Sequence, residues 1–365
     1  MNLRCGIVGL PNVGKSTLFN ALSNAGAEAA NFPFCTIDPN IGKVPVPDER
    51  LINLSKLVEP AETIPTSIEF VDIAGLVKGA SEGKGKGNAF LSNIREVDLI
   101  IHVVRCFDDN DIVHVEGSID PMRDIRIIED ELLLKDLETI EKRESNLERE
   151  AKSGEKETLQ NLKLIKRLRE HVENGNAVRA FDYDEEEHKV FKDLFLLSDK
   201  PVLFACNVAE EDLTDTDNEW VKEVREYAQT FGDNVVKFCA KIEAEIAELE
   251  EDEKEMFLDE LGVDKSGLDR LIQSAYEELG LITYFTAGPK EVRAWTIEKG
   301  TKAPEAAGVI HSDFERGFIR AETISYEDYA ELKSEKAAKE AGKMRQEGKD
   351  YMVQDGDVML FRFNV

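Results

Sequence analysis

The sequence has no long apolar run and no recognisable leader. Its longest apolar stretches, such as DLIIHVVRCF, are far shorter than the roughly 20 residues that a membrane helix needs. The amino terminus enters a strand-like run directly, without the basic segment, apolar stretch and cleavage site of a signal peptide. We therefore predict a cytoplasmic protein that does not bind membranes.

The sequence also lacks paired cysteines. Its five cysteines are an odd number and are widely spaced, with no C-x-x-C motif and no paired histidines. This spacing argues against both a disulfide framework and a zinc site. We interpret them as reduced packing residues: Cys5, Cys35, Cys106, Cys206 and Cys239.

Basic charge is scarce as well. The net charge of −29 repels phosphates at long range, so we expect neither general nucleic-acid binding nor readout of a DNA sequence. About half of the acidic excess lies in residues 210–260. Residues 141–170 hold nine basic and seven acidic residues, and residues 333–350 hold six and four. These two locally positive segments are either solvated faces or places that contact RNA.

A phosphate-binding motif is present near the start of the chain. A β-rich apolar run is followed by GLPNVGKS and then by a segment with helical spacing. This is the G-x-x-x-x-G-K-S pattern in its strand, loop and helix context. Gly9 and Gly14 let backbone N–H groups point inward at phosphates. Lys15 would reach the β and γ phosphates and the Ser16 hydroxyl would bind Mg²⁺, so the motif predicts a bound nucleoside triphosphate or diphosphate.

Two further segments supply candidate ligands for the metal and the γ phosphate. TSIEFVDIAGL is a strand that ends in Asp72 and continues into a turn with Gly75. Asp72 could hold a water on Mg²⁺, and the Gly75 N–H could bond the γ phosphate. Thr36, in the Pro-interrupted loop between the two motifs, is the candidate for a second hydroxyl ligand of Mg²⁺. The alternative is that this threonine makes only a local hydrogen bond.

The group that positions the attacking water is harder to assign. Leu76 stands where a Ras-like switch protein carries glutamine, and leucine cannot orient water. His114 is a candidate because imidazole can orient or deprotonate water near neutral pH, and an ordinary loop histidine is the alternative. Asn12 could help to bind K⁺ beside the phosphates, or it could only stiffen the loop.

The stretch NVAE stands where N-K-x-D proteins read guanine. Their aspartate accepts hydrogen bonds from guanine N1–H and the 2-amino group, and adenine offers neither donor. Here Val208 replaces the lysine, and the longer Glu210 displaces the carboxylate. Asn207 and the backbone around Val208 could instead satisfy the 6-amino group of adenine. We predict that ATP is preferred to GTP, and that Ala240 lies in the loop that closes over the base.

Strand-like and helical segments alternate through most of the chain. This alternation predicts an α/β fold of the P-loop NTPase, GTPase-like kind, with a mostly parallel sheet and helices on both faces. The nucleotide is expected at the carboxyl ends of the strands. Besides the strand before the P-loop, the predicted strands are 68–71, 99–104, 202–206 and 235–239.

Two regions depart from this alternation. Residues 128–198 carry two apolar stripes on either side of the AKSGEK turn, which predicts an inserted α-helical hairpin, an antiparallel coiled coil. Beyond residue 281 the pattern predicts a β-hairpin, a short helix and a final hairpin turning at Asp355 and Gly356. The predicted domains are 1–127 with 199–280 for the nucleotide, 128–198 for the coiled coil, and 281–365 for a small α+β domain.

The chain resembles the YchF (EngD, Obg-like ATPase) family of translation-associated P-loop proteins over its whole length, in GLPNVGKST, NFPFCTIDPN, FVDIAGLVKGAS, NVAE and AGKMRQEGKDYMVQDGDVMLFRFNV. The resemblance implies a C-terminal TGS domain with a ubiquitin-like fold, ATP preference, and binding to ribosomes, especially the large subunit. It places the phosphate contacts at Asn12, Val13, Gly14, Lys15, Ser16 and Thr17. It places Mg²⁺ ligands at Ser16 and Thr36, and adenine contacts at Asn207 and Val208.

Two classes of function remain open. The favoured hypothesis is a slow ATPase switch, in which ATP and Mg²⁺ order the loops around Thr36 and Gly75. Hydrolysis would then change how the helical arm and the TGS domain meet the ribosome and its RNA. The alternatives are a conventional GTPase switch, or a nucleotide-gated RNA-binding module whose hydrolysis is incidental.

Overall fold

The structure is a computed structural model of the 365-residue chain, and it describes residues 3–28, 40–73, 86–109, 111–112, 114–213, 216–249 and 251–364. The chain divides into two compact units. The larger unit consists of Leu3–Gly42 and Glu69–Leu271. The smaller unit contains Lys43–Ile68 and Ile272–Val365.

The strands and helices follow one another in mixed order along the chain. The strands are β1 Arg4–Val8, β2 Ile41–Pro45, β3 Glu62–Ile64, β4 Ser67–Asp72, β5 Leu99–Arg105, β6 Val202–Asn207, β7 Asn234–Phe238, β8 Leu281–Ala287, β9 Glu291–Glu298, β10 Phe318–Ser325, β11 Arg345–Glu347 and β12 Asp357–Phe363. The helices are α1 Lys15–Glu28, α2 Glu49–Val58, α3 Lys86–Arg95, α4 Pro121–Glu150, α5 Lys156–Glu173, α6 Glu185–Phe191, α7 Glu219–Gln229, α8 Ala240–Ile246, α9 Glu251–Leu261, α10 Gly267–Glu278, α11 Ala303–Ile310, α12 Ser312–Arg316, α13 Tyr326–Leu332 and α14 Glu335–Glu340.

The first sheet has the strand order β2-β4-β1-β5-β6-β7. Five neighbouring strands of this sheet run parallel, namely β4, β1, β5, β6 and β7. Three of them, β1, β5 and β6, are buried along almost their whole length. Such burial is typical of strands covered on both faces. The predicted α/β sheet is confirmed, and its parallel strands bring the loops that follow them to one edge. The sequence did not predict β2, because this short edge strand, IGKVP, carries Gly and Pro.

The predicted helical hairpin is formed by α4 and α5. Asp120 caps α4, since its carboxylate accepts the Arg123 N–H at 2.9 Å. Gly154, with φ of +79°, ends the turn that joins the two helices. The helix begins before the predicted boundary at 128, and Ile125 is buried. The apolar stripes pack together in a core of Leu133, Ile140, Leu147, Leu164, Ile165, Leu168 and Val172.

The second sheet has the strand order β11-β10-β12-β8-β9-β3. β8 and β9 form the predicted antiparallel hairpin, and β3 extends the sheet as a parallel neighbour of β9. The prediction assigned residues 43–68 to the nucleotide domain, whereas the structure groups them with the C-terminal sheet. One apolar cluster includes Tyr284, Ile297, Ala306, Ala307, Phe318, Ala321, Met359 and Phe361. A second includes Leu51, Leu54, Phe285, Val292, Ala294, Ile324, Tyr329, Ala338 and Val358.

The predicted hairpin at the end of the chain is wrong. β12 pairs antiparallel with β10 and parallel with β8, not with the residues that precede it. The Asp357 carboxylate accepts the Gln354 N–H at 2.9 Å and the Tyr351 hydroxyl at 2.7 Å, which holds the preceding segment as a turn. The single predicted helix of this region is two helices, α11 and α12, because the backbone is extended at His311.

Four cysteines lie in the described residues, and all four are buried and free: Cys5, Cys106, Cys206 and Cys239. Burial raises the pKa of the Cys5 thiol far above its usual value, and a hydrogen bond with Cys206 together with burial does the same for Cys106. Such thiols are poor nucleophiles, as expected of packing residues. Cys35 lies outside the described residues. In the part of the chain that the structure covers, no helix combines the length and the apolar character that crossing a membrane requires.

Candidate nucleotide-binding site

The G-x-x-x-x-G-K-S motif forms the loop between β1 and α1. Gly14 has φ of +97°, and a Cβ at this position would lie 2.3 Å from Asn207 Nδ2. A Cβ at Gly9 would lie 2.8 Å from the Val103 carbonyl oxygen. Both positions therefore need glycine. Gly9 needs it because of the close approach to Val103, and Gly14 needs it because of the close approach to Asn207 and its positive φ. The loop leads into the first turn of α1, whose free N–H groups and dipole favour an anion.

Lys15 connects the phosphate loop to the end of β4. Its ammonium forms a hydrogen-bonded salt bridge with Asp72 Oδ1, and the two side chains are only 11% and 22% exposed. The Asp72 N–H donates to the Asn40 carbonyl at 2.9 Å, so β2 is joined to β4 at the same point. A phosphate in the loop would compete with the carboxylate for the ammonium. The structure thus brings together a cation and a carboxylate that come from separate motifs.

Asn207 holds two loops in place. It ends β6, and it is only 3% exposed. Its Nδ2 donates to the Val13 carbonyl at 3.0 Å, and its Oδ1 accepts the Ala240 N–H at 3.0 Å. One carboxamide therefore connects the phosphate loop to the start of α8. The sequence assigned Asn207 to the adenine base, and the structure adds this positioning role, which the N-x-x-E spacing alone does not reveal.

The rest of the N-x-x-E stretch divides between the interior and the surface. Val208 is buried, and its N–H donates to the Phe238 carbonyl at 2.9 Å. Glu210 is exposed in the short 3-10 turn Glu210–Asp212. The buried valine lacks the long aliphatic stem with which lysine covers guanine. One edge of the sheet therefore holds Asn207, Val208 and Ala240. Glu210 lies on the surface, two residues after Val208.

His114 is buried and bonded at both ring nitrogens. Nδ1 accepts the Glu116 N–H at 3.1 Å, so Nε2 carries the proton and donates to Asp124 Oδ2 at 2.8 Å. Asp124 also forms a salt bridge with Arg123 at 2.9 Å. These bonds attach the ring to the start of α4. For His114 to orient a water at a γ phosphate, the ring has to exchange its present partners.

Arg105 shapes the loop after β5, and the sequence did not single it out. Its guanidinium is fully buried and donates to the carbonyl groups of Phe107 at 3.2 Å, Asp109 at 3.2 Å and Ile112 at 2.9 Å. It lies opposite Asn207 in the pairing of β5 with β6. The available signal was a charged residue closing an otherwise apolar strand.

The remaining predicted residues concern the metal and the phosphates. Thr36 and Gly75 lie outside the described residues. Ser16 and Thr17 are exposed in the first turn of α1, and Asn12 is exposed in the loop with φ of +65°. Within the described ranges, no group of three or more His, Cys, Asp or Glu side chains is placed to hold a metal ion. The Ser16 hydroxyl and the Asp72 carboxylate are oxygen donors that fit Mg²⁺, which needs few protein ligands when phosphates and water supply the others.

Two family profiles match the chain. Residues 281–364 match YchF-GTPase_C, described as "Protein of unknown function (DUF933)", and residues 4–142 match MMR_HSR1, described as "50S ribosome-binding GTPase". The Ribosome-binding ATPase YchF of Bacillus subtilis (strain 168) is 57% identical over 366 residues, covering 100% of both chains. The chain belongs to the YchF family.

The similarity to YchF proteins extends to eukaryotic relatives and to a solved structure. Obg-like ATPase 1 of Pongo abelii is 47% identical over 368 residues, covering 100% of this chain and 93% of that protein. The Schizosaccharomyces pombe YchF GTPase matches with a TM-score of 0.88 and 40% identity, covering 99% of this chain and 98% of that one. The predicted family and P-loop fold are therefore confirmed, and the chain is a P-loop nucleoside triphosphate hydrolase of the YchF type.

Proposed function

We propose that this chain binds ATP with Mg²⁺ around Lys15, hydrolyses it slowly, and uses the nucleotide state to control its association with ribosomes in the cytoplasm. The Lys15–Asp72 pair carries this proposal, because it sets the cation proposed to bind phosphate beside the carboxylate proposed to hold a water on the metal. The name of the Bacillus subtilis relative, a ribosome-binding ATPase, supports it.

Each predicted residue has a role in this proposal. The backbone N–H groups and side chains of the loop bind and orient the phosphates, and Mg²⁺ held by these ligands would supply charge neutralisation at the reacting phosphates. The phosphate ligands are Asn12, Val13, Gly14, Lys15, Ser16, Thr17 and Gly75. The metal ligands are Ser16, Thr36 and, through a water, Asp72, with K⁺ beside Asn12 as a secondary proposal. The base contacts are Asn207, Val208, Glu210 and Ala240.

The preference for ATP over GTP follows from what surrounds the base. A guanine site needs a fixed carboxylate for N1–H and the 2-amino group. Glu210 is exposed on a surface turn, whereas Asn207 is fixed by bonds to the Val13 carbonyl and the Ala240 N–H. The fixed groups are thus an amide and backbone atoms, which suit the 6-amino group of adenine.

The proposal also assigns surfaces of this chain to contacts with the ribosome. We assign contacts with the large ribosomal subunit and its RNA to the coiled coil, 128–198, and to a TGS domain, 281–365. Nucleotide binding is assigned to 1–127 and 199–280 without residues 43–68, which belong to the smaller unit. Two basic side chains of α5 are already paired within the hairpin, Lys166 with Glu148 at 2.8 Å and Arg169 with Glu144 at 3.2 Å. RNA phosphates would have to compete with these carboxylates.

Calorimetry of ATP and GTP in Mg²⁺, on the full chain, tests the nucleotide assignment. We expect ATP to bind more tightly than GTP. Lys15→Ala should weaken both by about tenfold or more, because charge-assisted bonds to phosphate contribute roughly 1.5–3 kcal/mol. Lys189→Ala is the matched control, since Lys189 is 66% exposed in α6, away from the predicted nucleotide ligands in sequence, and should leave both affinities unchanged. Tight GTP binding with negligible ATP binding would favour the conventional GTPase switch.

Sedimentation with ribosomes tests the switch. We expect association to differ between the ATP-bound and nucleotide-free chain, and the difference to disappear in Lys15→Ala. If association and its nucleotide response survive unchanged in that variant, the switch hypothesis is wrong. If association survives without any nucleotide response in the parent chain, an RNA-binding module with incidental hydrolysis is the better description.

His114→Ala tests the water-positioning role. We expect hydrolysis to slow by about 10²- to 10⁴-fold, the usual contribution of a positioned acid or base, while ATP affinity is retained. Glu116→Ala is the control, because it keeps the backbone N–H that bonds His114 Nδ1. Unaltered turnover would remove His114 from the mechanism. A loss of folded protein instead of turnover, seen in thermal melts, would assign the residue to the packing of α4.

A further inference from the structure

The chain leaves the first sheet after β2 and returns to it in β4. The Val46 N–H donates to the Thr66 carbonyl at 2.9 Å, and the Asp72 N–H donates to the Asn40 carbonyl at 2.9 Å. These two bonds show that β2 and β4 run antiparallel, like the arms of a hairpin. The residues between Val46 and Thr66, here named the excursion, contain α2 and β3.

The excursion is built into the core of the smaller unit. Leu51 and Leu54 of α2 are 4% and 0% exposed. They pack against residues from β8, β9, β10, α13, α14 and β12, namely Phe285, Val292, Ala294, Ile324, Tyr329, Ala338 and Val358. β3 adds three residues to the C-terminal sheet, with Glu62 opposite Glu291. The excursion therefore cannot shift without moving or breaking this core.

Polar contacts fix both ends of the excursion. At its start, Arg50 binds Asp48 at 2.8 Å and Asp355 at 2.7 Å, and its guanidinium lies 5.3 Å from the Phe285 ring centroid. Asp355 also accepts the Thr283 N–H at 2.9 Å, so this arginine is joined to the turn before β12. At the other end, the hydroxyls of Thr66 and Thr296 are hydrogen-bonded.

The opposite end of β4 lies in the nucleotide site. β4 runs without interruption from Ser67 to Asp72, and Asp72 holds Lys15 of the phosphate loop. A phosphate that draws Lys15 away changes the bonding at one end of this strand. The other end continues directly into a segment that is anchored in the second sheet. β4 therefore connects the Lys15–Asp72 pair directly to the excursion.

We propose that the excursion is the route by which nucleotide binding at Lys15 alters the C-terminal unit, with Arg50 as the residue that fixes it there. This inference rests on the proposed nucleotide binding. A displacement of β4 is passed to α2 and β3, because strands are stiff and the packed core allows few intermediate arrangements. The coupling is reciprocal, so a change in the C-terminal unit alters nucleotide affinity by the same factor.

Hydrogen exchange on the full chain, with and without Mg²⁺ and a non-hydrolysable ATP analogue, tests this route. In the parent chain we expect the analogue to change amide protection in α2, β3, β8, β9 and β12. In Arg50→Ala the change in the three C-terminal strands should shrink by about twofold or more. Asp355→Asn, which retains the carbonyl oxygen that accepts the Thr283 N–H, is a milder second variant with the same expected direction.

Arg362→Ala is the matched control. Arg362 lies in the same unit and pairs with Glu322 at 2.9 Å, with no bond to the excursion, so the full response should remain. Calorimetry of the analogue on each protein separates a failure of the route from a failure of nucleotide binding. Binding without any C-terminal response, or an undiminished response in both Arg50→Ala and Asp355→Asn, would overturn the route. Absence of binding to the parent chain would overturn the proposed function, and the route with it.

Discussion

At the scale of single residues, the site depends on one buried amide. Asn207 donates to the Val13 carbonyl and accepts the Ala240 N–H, both at 3.0 Å. Each of these backbone groups comes from a different loop, so the side chain sets the distance between the phosphate loop and α8. Gly14 depends on the same amide, because a Cβ there would collide with Asn207 Nδ2. We therefore expect Asn207 to contribute to nucleotide affinity by positioning these loops, apart from any contact with the base.

Asn207→Ala should weaken ATP binding while the chain stays folded. The change removes both bonds that hold the phosphate loop and the start of α8 in position, so ATP has to order these loops when it binds. At about 0.5–1.5 kcal/mol for each bond, we expect a loss of about 1–3 kcal/mol of binding free energy, or roughly 5- to 150-fold in Kd. Calorimetry gives the affinity, and a thermal melt shows that the chain is folded. Asn176→Ala is the control, since its exposed amide donates only to the His171 carbonyl in the helical hairpin. Equal affinities for the two variants would contradict the positioning role.

At the scale of secondary structure elements, α8 is joined to α10 by a buried carboxyl group. Glu243 is 2% exposed and accepts the Gly267 N–H at 2.7 Å and the Leu268 N–H at 3.3 Å. These donors favour the carboxylate, but burial outweighs them and raises the pKa of Glu243 to about 7. A Cβ at Gly267 would lie 2.7 Å from the Glu243 carboxyl oxygen, so glycine is needed there for the close approach.

This pKa predicts how stability changes with pH. The folded chain keeps a proton on Glu243 up to about pH 7, whereas the unfolded chain loses it near the ordinary value of 4.5. The stabilisation is therefore complete below about pH 4.5 and is lost as pH rises through 7. Relative to Glu243→Gln, the parent chain should lose up to about 3 kcal/mol of unfolding free energy between pH 5 and 8. Urea unfolding of both proteins at each pH measures this difference, and a constant difference would contradict the assignment.

Elements whose signal is local could be predicted from the sequence. The phosphate loop lies in its own strand, loop and helix context, and the stripes of α4 and α5 repeat at helical spacing. The pairing of β12 with β10 and the entry of β3 into the second sheet could not be predicted, because partner choice depends on residues far away in the chain. The bond between Asn207 and the Val13 carbonyl is missed for the same reason. Spacing indicated the candidate ligands, and long-range packing decided how those in the described residues are held.

At the scale of the whole molecule, each compact unit combines segments that are distant in sequence. The larger unit is interrupted by residues 43–68, and the smaller unit takes its sixth strand and one of its core helices from that interruption. The course of the chain by itself therefore joins the C-terminal sheet to β4, the strand that ends at Asp72 beside Lys15. The proposed switch needs a connection between the nucleotide site and the C-terminal unit, and hydrogen exchange in Arg50→Ala measures it.

This arrangement has a consequence for synthesis. Leu51 and Leu54 leave the translating ribosome early, but the first strand that covers them, β8, is made about 230 residues later. At about 5–20 residues per second, the apolar residues of α2 stay uncovered by this strand for roughly 12–46 s. A gene rearranged to place residues 43–68 after the C-terminal strands would shorten this delay only by cutting the strand that ends in Asp72.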